Sequence, residues 1–252
     1  MARITHIALK VEDLERSTKF YEDVFGFRQT GTGYARGHVS RHMTDGDFDL
    51  ALMVYDNEEV HEAQLSGPGP CIHHWGIEVE DRPATIKLIE ENGGEIISKP
   101  GEGALKFRAP NGTVAEIVGR GRYKKSAAAG PARVVRLAIK VADLEPAARF
   151  YKNVFGFEDV RSERGLQHAT RHLSDGSFDL VLIAYDSEEA KGARLAGAGP
   201  RIHHWGIEVA DKDACADAIA RNGGELLSPP TDVSITFRAP DGTLVEIAPP
   251  GK

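Results

Sequence analysis

HIALKVEDLERSTKFYEDVFGF at residues 6–27 returns as RLAIKVADLEPAARFYKNVFGF at 136–157. The same offset of 130 carries RHMTDGDFDLALMVYDNEE (41–59) onto RHLSDGSFDLVLIAYDSEE (171–189), and FRAPNGTVAEI (107–117) onto FRAPDGTLVEI (237–247). IHHWGIEV at 72–79 recurs unchanged at 202–209. Without a gap, 55 of the 115 positions in 4–118 match their partners in 134–248. A period this long marks a duplicated domain, since solenoid repeats run to about 20–50 residues. The 252 residues therefore read as a domain at 1–121, a linker RYKKSAAAGPAR at 122–133 without apolar periodicity, and a second domain at 134–252.

A fainter repeat lies inside each half. HIALKVED (6–13) resembles HWGIEVED (74–81), and each precedes a stretch of helical periodicity closed by glycine. Strand-like runs follow at 37–44 and 48–55, and again at 104–108 and 113–118. Asp45-Gly46 and Asn111-Gly112 supply turns between them. Each quarter reads as β-α-β-β-β, so four such modules make an α+β protein.

Composition narrows the function. A net charge of −7 argues against general nucleic-acid binding. The two cysteines, Cys71 and Cys215, form no disulfide framework and suit a reducing compartment. No run of about 18 apolar residues is present to span a membrane. MARITHIALK has no signal-peptide core, and the expected location is the cytoplasm.

Strand alternation sorts the candidate residues. Ile7, Leu9 and Val11 share one face of the first strand; His6, Ala8 and Lys10 share the other. In IHHWGIEV the adjacent histidines point opposite ways, and the internal repeat pairs His74 with His6. Glu116, between Ala115 and Ile117, is a carboxylate in an apolar strand and is costly unless paired or metal-bound. Two imidazoles and one carboxylate fill three positions of a divalent ion. Fe(II) leads, and Zn(II), Mn(II) or Ni(II) accept the same set. His73 and His203 read as structural, and Tyr55 and Tyr185 as packing; Asp49 and Asp179 hold a turn or reach the cavity, with the structural role favoured.

With these motifs and the paired module layout, the chain resembles the vicinal oxygen chelate superfamily, which groups glyoxalases, bleomycin resistance proteins and extradiol dioxygenases. The resemblance implies tandem domains of curved mixed sheets around a metal cavity, with ligands at His6, His74 and Glu116. Superfamily members assemble their modules within a domain or swapped between domains, so His6, His204 and Glu246 form an alternative set. The second half departs from the pattern. Arg136 stands where the first ligand belongs, and a guanidinium has no lone pair to offer a metal. One intact site and one degenerate site are expected, with Arg136 paired to Glu246 or Glu116.

Two further departures bear on the reaction. The fourth ligand of glyoxalase I-like members corresponds to Leu52 here and Leu182 in the repeat, which lowers the lyase reading. The extradiol tyrosine corresponds to Lys106, and no histidine lies between 90 and 106, so His38 and His42 become the candidate acid–base groups. The resemblance thus implies an Fe(II) extradiol-type dioxygenase acting with O2 on a small catechol-like compound. A glyoxalase-like lyase or isomerase and a metal-free binding protein of the bleomycin-resistance type are the alternatives. The partner is a small molecule rather than nucleic acid or membrane, and the chain is a monomer or homodimer.

Overall fold

The computed structural model describes residues 2–98, 104–123 and 130–251; residues 124–129 of the expected linker lie outside the described residues. The first half runs β1 (Arg3–Lys10), α1 (Leu14–Phe25), β2 (Arg28–Ala35), β3 (His38–Thr44), β4 (Asp49–Tyr55), α2 (His61–Gln64), β5 (Cys71–Val79), α3 (Arg82–Glu91), β6 (Glu95–Ile96), β7 (Leu105–Arg108) and β8 (Val114–Gly119). The second half repeats the order. It runs β9 (Ala132–Lys140), α4 (Leu144–Phe155), β10 (Glu158–Arg164), β11 (His168–Ser174), β12 (Asp179–Tyr185), α5 (Lys191–Ala196), β13 (Arg201–Val209), α6 (Lys212–Arg221), β14 (Glu225–Leu226), β15 (Ile235–Arg238) and β16 (Leu244–Ala248). The strands form two eight-stranded mixed sheets, ordered β2-β3-β4-β1-β5-β8-β7-β6 and β10-β11-β12-β9-β13-β16-β15-β14. The fold is α+β, as the module reading anticipated. The short helices α2 and α5 were not anticipated, and β9 begins two residues inside the expected linker.

Local chemistry explains the modules. Asp13 caps α1 by accepting from the Arg16 amide at 2.9 Å, and Gly26 ends the helix at φ +71°, a left-handed conformation that glycine adopts without a Cβ penalty. The Asp45 carboxylate accepts from the Asp47 and Phe48 amides and so holds the β3–β4 turn. Arg108 donates to the Gly112 carbonyl across the β7–β8 turn, and Arg238 does the same to Gly242.

Contacts divide the chain into two compact units, and the division does not follow the halves. One unit comprises His6–His73, Tyr123–Val135 and His204–Lys252. In it α1 is buried through Phe20, which meets Phe237, and Tyr21, whose ring lies 5.7 Å from Trp205. The Tyr21 hydroxyl donates to Asp241 Oδ2 at 2.7 Å. The other unit comprises Met1–Thr5, His74–Arg122 and Arg136–His203. There α4 repeats the packing, with Phe150 against Phe107 and Tyr151 against Trp75. Asn111 occupies the position of Asp241 and donates from Nδ2 to the Tyr151 hydroxyl at 2.9 Å.

The two units thus solve one packing problem with different charges. Burial pushes the Asp241 carboxyl up, and the hydrogen bonds from Thr243 and Tyr21 do not fully offset it. A carboxyl raised in the fold favours its neutral form there, so stability falls as pH climbs through its folded value. Asp241→Asn, which copies Asn111, is therefore expected to stabilise the protein at neutral pH by about 1 kcal/mol, roughly 2–4 °C in Tm. The gain shrinks under acid, where Asp241 is already protonated. Asp241→Ala strands the buried partners of the carboxyl and is expected to cost about 1–3 kcal/mol. Thermal melts of both variants across a pH series check this.

Candidate metal centre

His6, near the start of β1, is in register with Asp49 at the start of β4, so the two side chains share a face. Their atoms meet: His6 Nδ1 lies 2.6 Å from Asp49 Oδ2, and both residues are buried. His42 on β3 approaches the same carboxylate, with Nδ1 at 2.9 Å from Oδ2 and 3.1 Å from Oδ1. Burial alone would raise the Asp49 carboxyl, but the hydrogen bonds to His42 and His6 outweigh it and hold it below the usual range. An ionised carboxylate accepts only, so each imidazole donates from Nδ1 and keeps its lone pair on Nε2. Asp49, expected to hold a turn or reach the cavity, thus fixes the tautomer of two histidines at once.

His74 on β5 and Glu116 on β8 supply the rest. Parallel pairing of the two strands sets Gly76 beside Glu116, and the absent side chain leaves the face open. His74 Nε2 lies 3.4 Å from Glu116 Oε2, with both side chains 4% exposed. That gap is long for a hydrogen bond and close to the spacing of two ligands on one ion at about 2.1 Å from each. Among the described residues, His6, His74 and Glu116 form the group of three that could hold a metal ion, their ligand atoms all within 4.8 Å of one another. β1, β5 and β8 are successive neighbours in the first sheet. Two imidazole nitrogens and a buried carboxylate suit a divalent ion, and Asp49 behind His6 is the partner that metal-bound histidines commonly have. His6, His204 and Glu246 form no such group among the described residues.

The remaining candidates separate. His38 is in register with Tyr55, its ring 4.9 Å from the Tyr55 ring and its Nδ1 3.7 Å from Glu62 Oε2. It lies four residues from His42 along β3, about 13 Å at the usual strand rise. His73 Nε2 lies 2.7 Å from the Glu62 carbonyl and 3.1 Å from the Tyr55 hydroxyl, a structural tie to α2, and His203 repeats it with the Gly192 carbonyl and Tyr185. Leu52 needs correction as the fourth-ligand position: it is in register with Leu9 and fully buried on the opposite face. The position facing the site is Ala51, which packs with Ala8 and Met53 and is equally unable to bind metal. Lys106 is buried and in register with Glu116.

The second sheet keeps the frame and loses the ligand. Arg136 is in register with Asp179, as His6 is with Asp49, and its Nε donates to Asp179 Oδ2 at 2.9 Å. His172 Nδ1 sits 3.0 Å from Asp179 Oδ1. Burial opposes ionisation of Asp179, but His172 and Arg136 hold its carboxyl below the usual range. Arg136 thus has a partner, Asp179, that the sequence reading did not assign to it. Glu246 accepts from Ser234 Oγ at 3.1 Å.

The model of the Glyoxalase/Bleomycin resistance protein/Dioxygenase superfamily matches residues 3–117 and 133–247, so the chain belongs to this superfamily. A probable lactoylglutathione lyase, chloroplastic, from Arabidopsis thaliana is 24% identical over 202 residues, which is 74% of this chain; the match spans about half (51%) of the plant protein. A mutant of 4-hydroxymandelate synthase from Streptomyces coelicolor superposes with a TM-score of 0.75 at 16% identity, covering 97% of this chain and 91% of that one. The 2,3-dioxygenase LapB from Pseudomonas sp. KL28 gives 0.66 at 17% identity, covering 99% and 92%. At these identities the solved structures share the fold. No helix among the described residues is long and apolar enough to cross a membrane.

Proposed function

We propose that the protein is a metal-dependent enzyme whose ion is held by His6, His74 and Glu116, and that it acts as an Fe(II) extradiol-type dioxygenase on a small catechol-like compound. On this reading the site belongs to the half 1–121, and 134–252 is its degenerate copy. The observation that carries the reading is a ligand group of three, with Ala51, which cannot bind metal, at the β4 position that faces it. Three protein ligands would leave room on a bound ion for a substrate with two adjacent oxygens. When bound, Fe(II) supplies Lewis acidity to those oxygens and redox chemistry toward O2.

The chain's own part is positional and protolytic. Asp49 holds the His6 ring through Nδ1, which leaves Nε2 as the nitrogen that would ligate. Burial of all three ligands excludes water and strengthens their electrostatic hold on the ion. His42, its side chain 35% exposed against 3% for His6, is the reachable base of the cluster. Its Nε2 would take the proton from a substrate hydroxyl, and Asp49 would steady the imidazolium that results.

The lactoylglutathione lyase relative supports a second reading, in which the same centre and the same base serve a proton transfer within a glutathione adduct. Anaerobic loading with Fe(II), followed by a catechol panel under an oxygen electrode, separates the two. The dioxygenase reading expects uptake of one O2 per ring opened. No uptake with any diol, together with formation of lactoylglutathione, would establish the lyase. A metal-free binding protein would hold less than roughly 0.1 equivalent of metal even after reconstitution.

A further inference from the structure

Tyr123 lies at the start of the connector between the halves, in a stretch whose Lys- and Ala-rich composition gives no sign of a site. Its ring stacks on His6, with centroids 4.5 Å apart and planes 13° from parallel. It also lies 6.4 Å from the His42 ring, and His6 and His42 are themselves 6.2 Å apart at 30°. Tyr123, His6 and His42 therefore form one cluster of rings around Asp49. The face of the Tyr123 ring lies over the imidazole of a candidate ligand, one of the two arrangements that aromatic pairs favour.

We infer that Tyr123 is a positioning residue of the metal centre, which the connector supplies to the first sheet. The inference rests on the proposed metal set. An imidazole that gives its Nε2 lone pair to a divalent cation becomes electron-poor, and the electron-rich face of a phenol stabilises it in that state by the attraction a π-system has for positive charge. The stack and the Asp49 bond fix His6 in complementary ways. Asp49 sets the tautomer and the in-plane direction of Nε2, while Tyr123 restrains tilt of the ring out of that plane. Both constraints exist before the ion arrives, so they raise affinity by removing motion that binding would otherwise have to freeze.

The test is a Co(II) titration of the full chain, read both as a dissociation constant by competition and as the visible ligand-field spectrum. Tyr123→Phe keeps the π-face and is expected to bind within about 2-fold of the parent, with the same spectrum. Tyr123→Leu keeps apolar bulk without the π-face, and Tyr123→Ala keeps neither; both are expected to weaken binding about 3–10-fold and to shift the ligand-field bands. Melting of the metal-free variants separates this from a folding defect, since the inference expects Tyr123→Leu to match the parent there. Equal affinity in all four proteins would overturn the role of Tyr123, and so would a loss in Tyr123→Phe as large as in Tyr123→Ala. A parent protein that takes up no Co(II) would overturn the metal reading itself.

Discussion

His74→Ala is expected to abolish stoichiometric metal binding, with affinity falling by at least about 100-fold, while His204→Ala leaves it within about 3-fold. The prediction exploits the duplication. The two histidines stand in identical IHHWGIEV segments, so a general effect of losing an imidazole from that strand should appear in both. Among the described residues, His74 and not His204 joins His6 and Glu116 in a ligand group. Removal of a ligand exceeds the 10–100-fold cost typical of disturbing a residue behind a ligand, which is the range expected for Asp49→Ala. The reverse pattern, with binding lost in His204→Ala and kept in His74→Ala, would assign the ion to His6, His204 and Glu246. His6→Ala loses the metal under either arrangement. Equilibrium dialysis with Zn(II) or Co(II) on the folded variants reads all of these directly.

The second large effect is on turnover. His42→Gln is expected to lower kcat by about 10²–10³-fold, the usual contribution of a positioned base, with metal affinity nearly unchanged. Glutamine can still donate a hydrogen bond to Asp49, so the variant removes the lone pair at Nε2 while sparing the scaffold. The internal control is His172→Gln. His172 holds Asp179 as His42 holds Asp49, at nearly the same distances, but in the sheet where Arg136 replaces the first ligand. It is expected to leave kcat within about 2-fold. His38→Gln is also expected to be mild, because the strand rise sets His38 about 13 Å from His42. Equal losses in His42→Gln and His172→Gln would point to a structural role for both carboxylate-bound histidines. Full activity in His42→Gln would remove it from the reaction.

Much of this was legible in the sequence because strands carry a period of two. Alternation alone put His6 and Ala8 on one face, separated His73 from His74, and marked Glu116 as a carboxylate in need of partners. Asp49 was not legible as an orienting group, since its partner His6 lies 43 residues away and only the register of β1 with β4 brings them together. The same register corrects Leu52. A displacement of one position along a strand reverses the face, and sequence similarity does not fix it to that precision. Tyr123 was hidden for a different reason: a connector is recognised by lacking periodicity, and a single aromatic in it sends no signal. The packing of α1 on Trp205 and Phe237 was also beyond reach. Two halves with so many matching residues give α1 equally good apolar partners in either copy, and the choice rests on three-dimensional fit.

The central claim is that one divalent ion sits on His6, His74 and Glu116 in the first sheet and that the second sheet holds none. Anomalous diffraction from crystals of the Co(II)-loaded protein, collected at the cobalt edge, tests it most directly. The account predicts a single strong peak per chain within about 2.0–2.2 Å of His6 Nε2, an imidazole nitrogen of His74 and a carboxylate oxygen of Glu116. A peak on His204 and Glu246, two peaks of equal height, or no peak in protein that has taken up cobalt would contradict it.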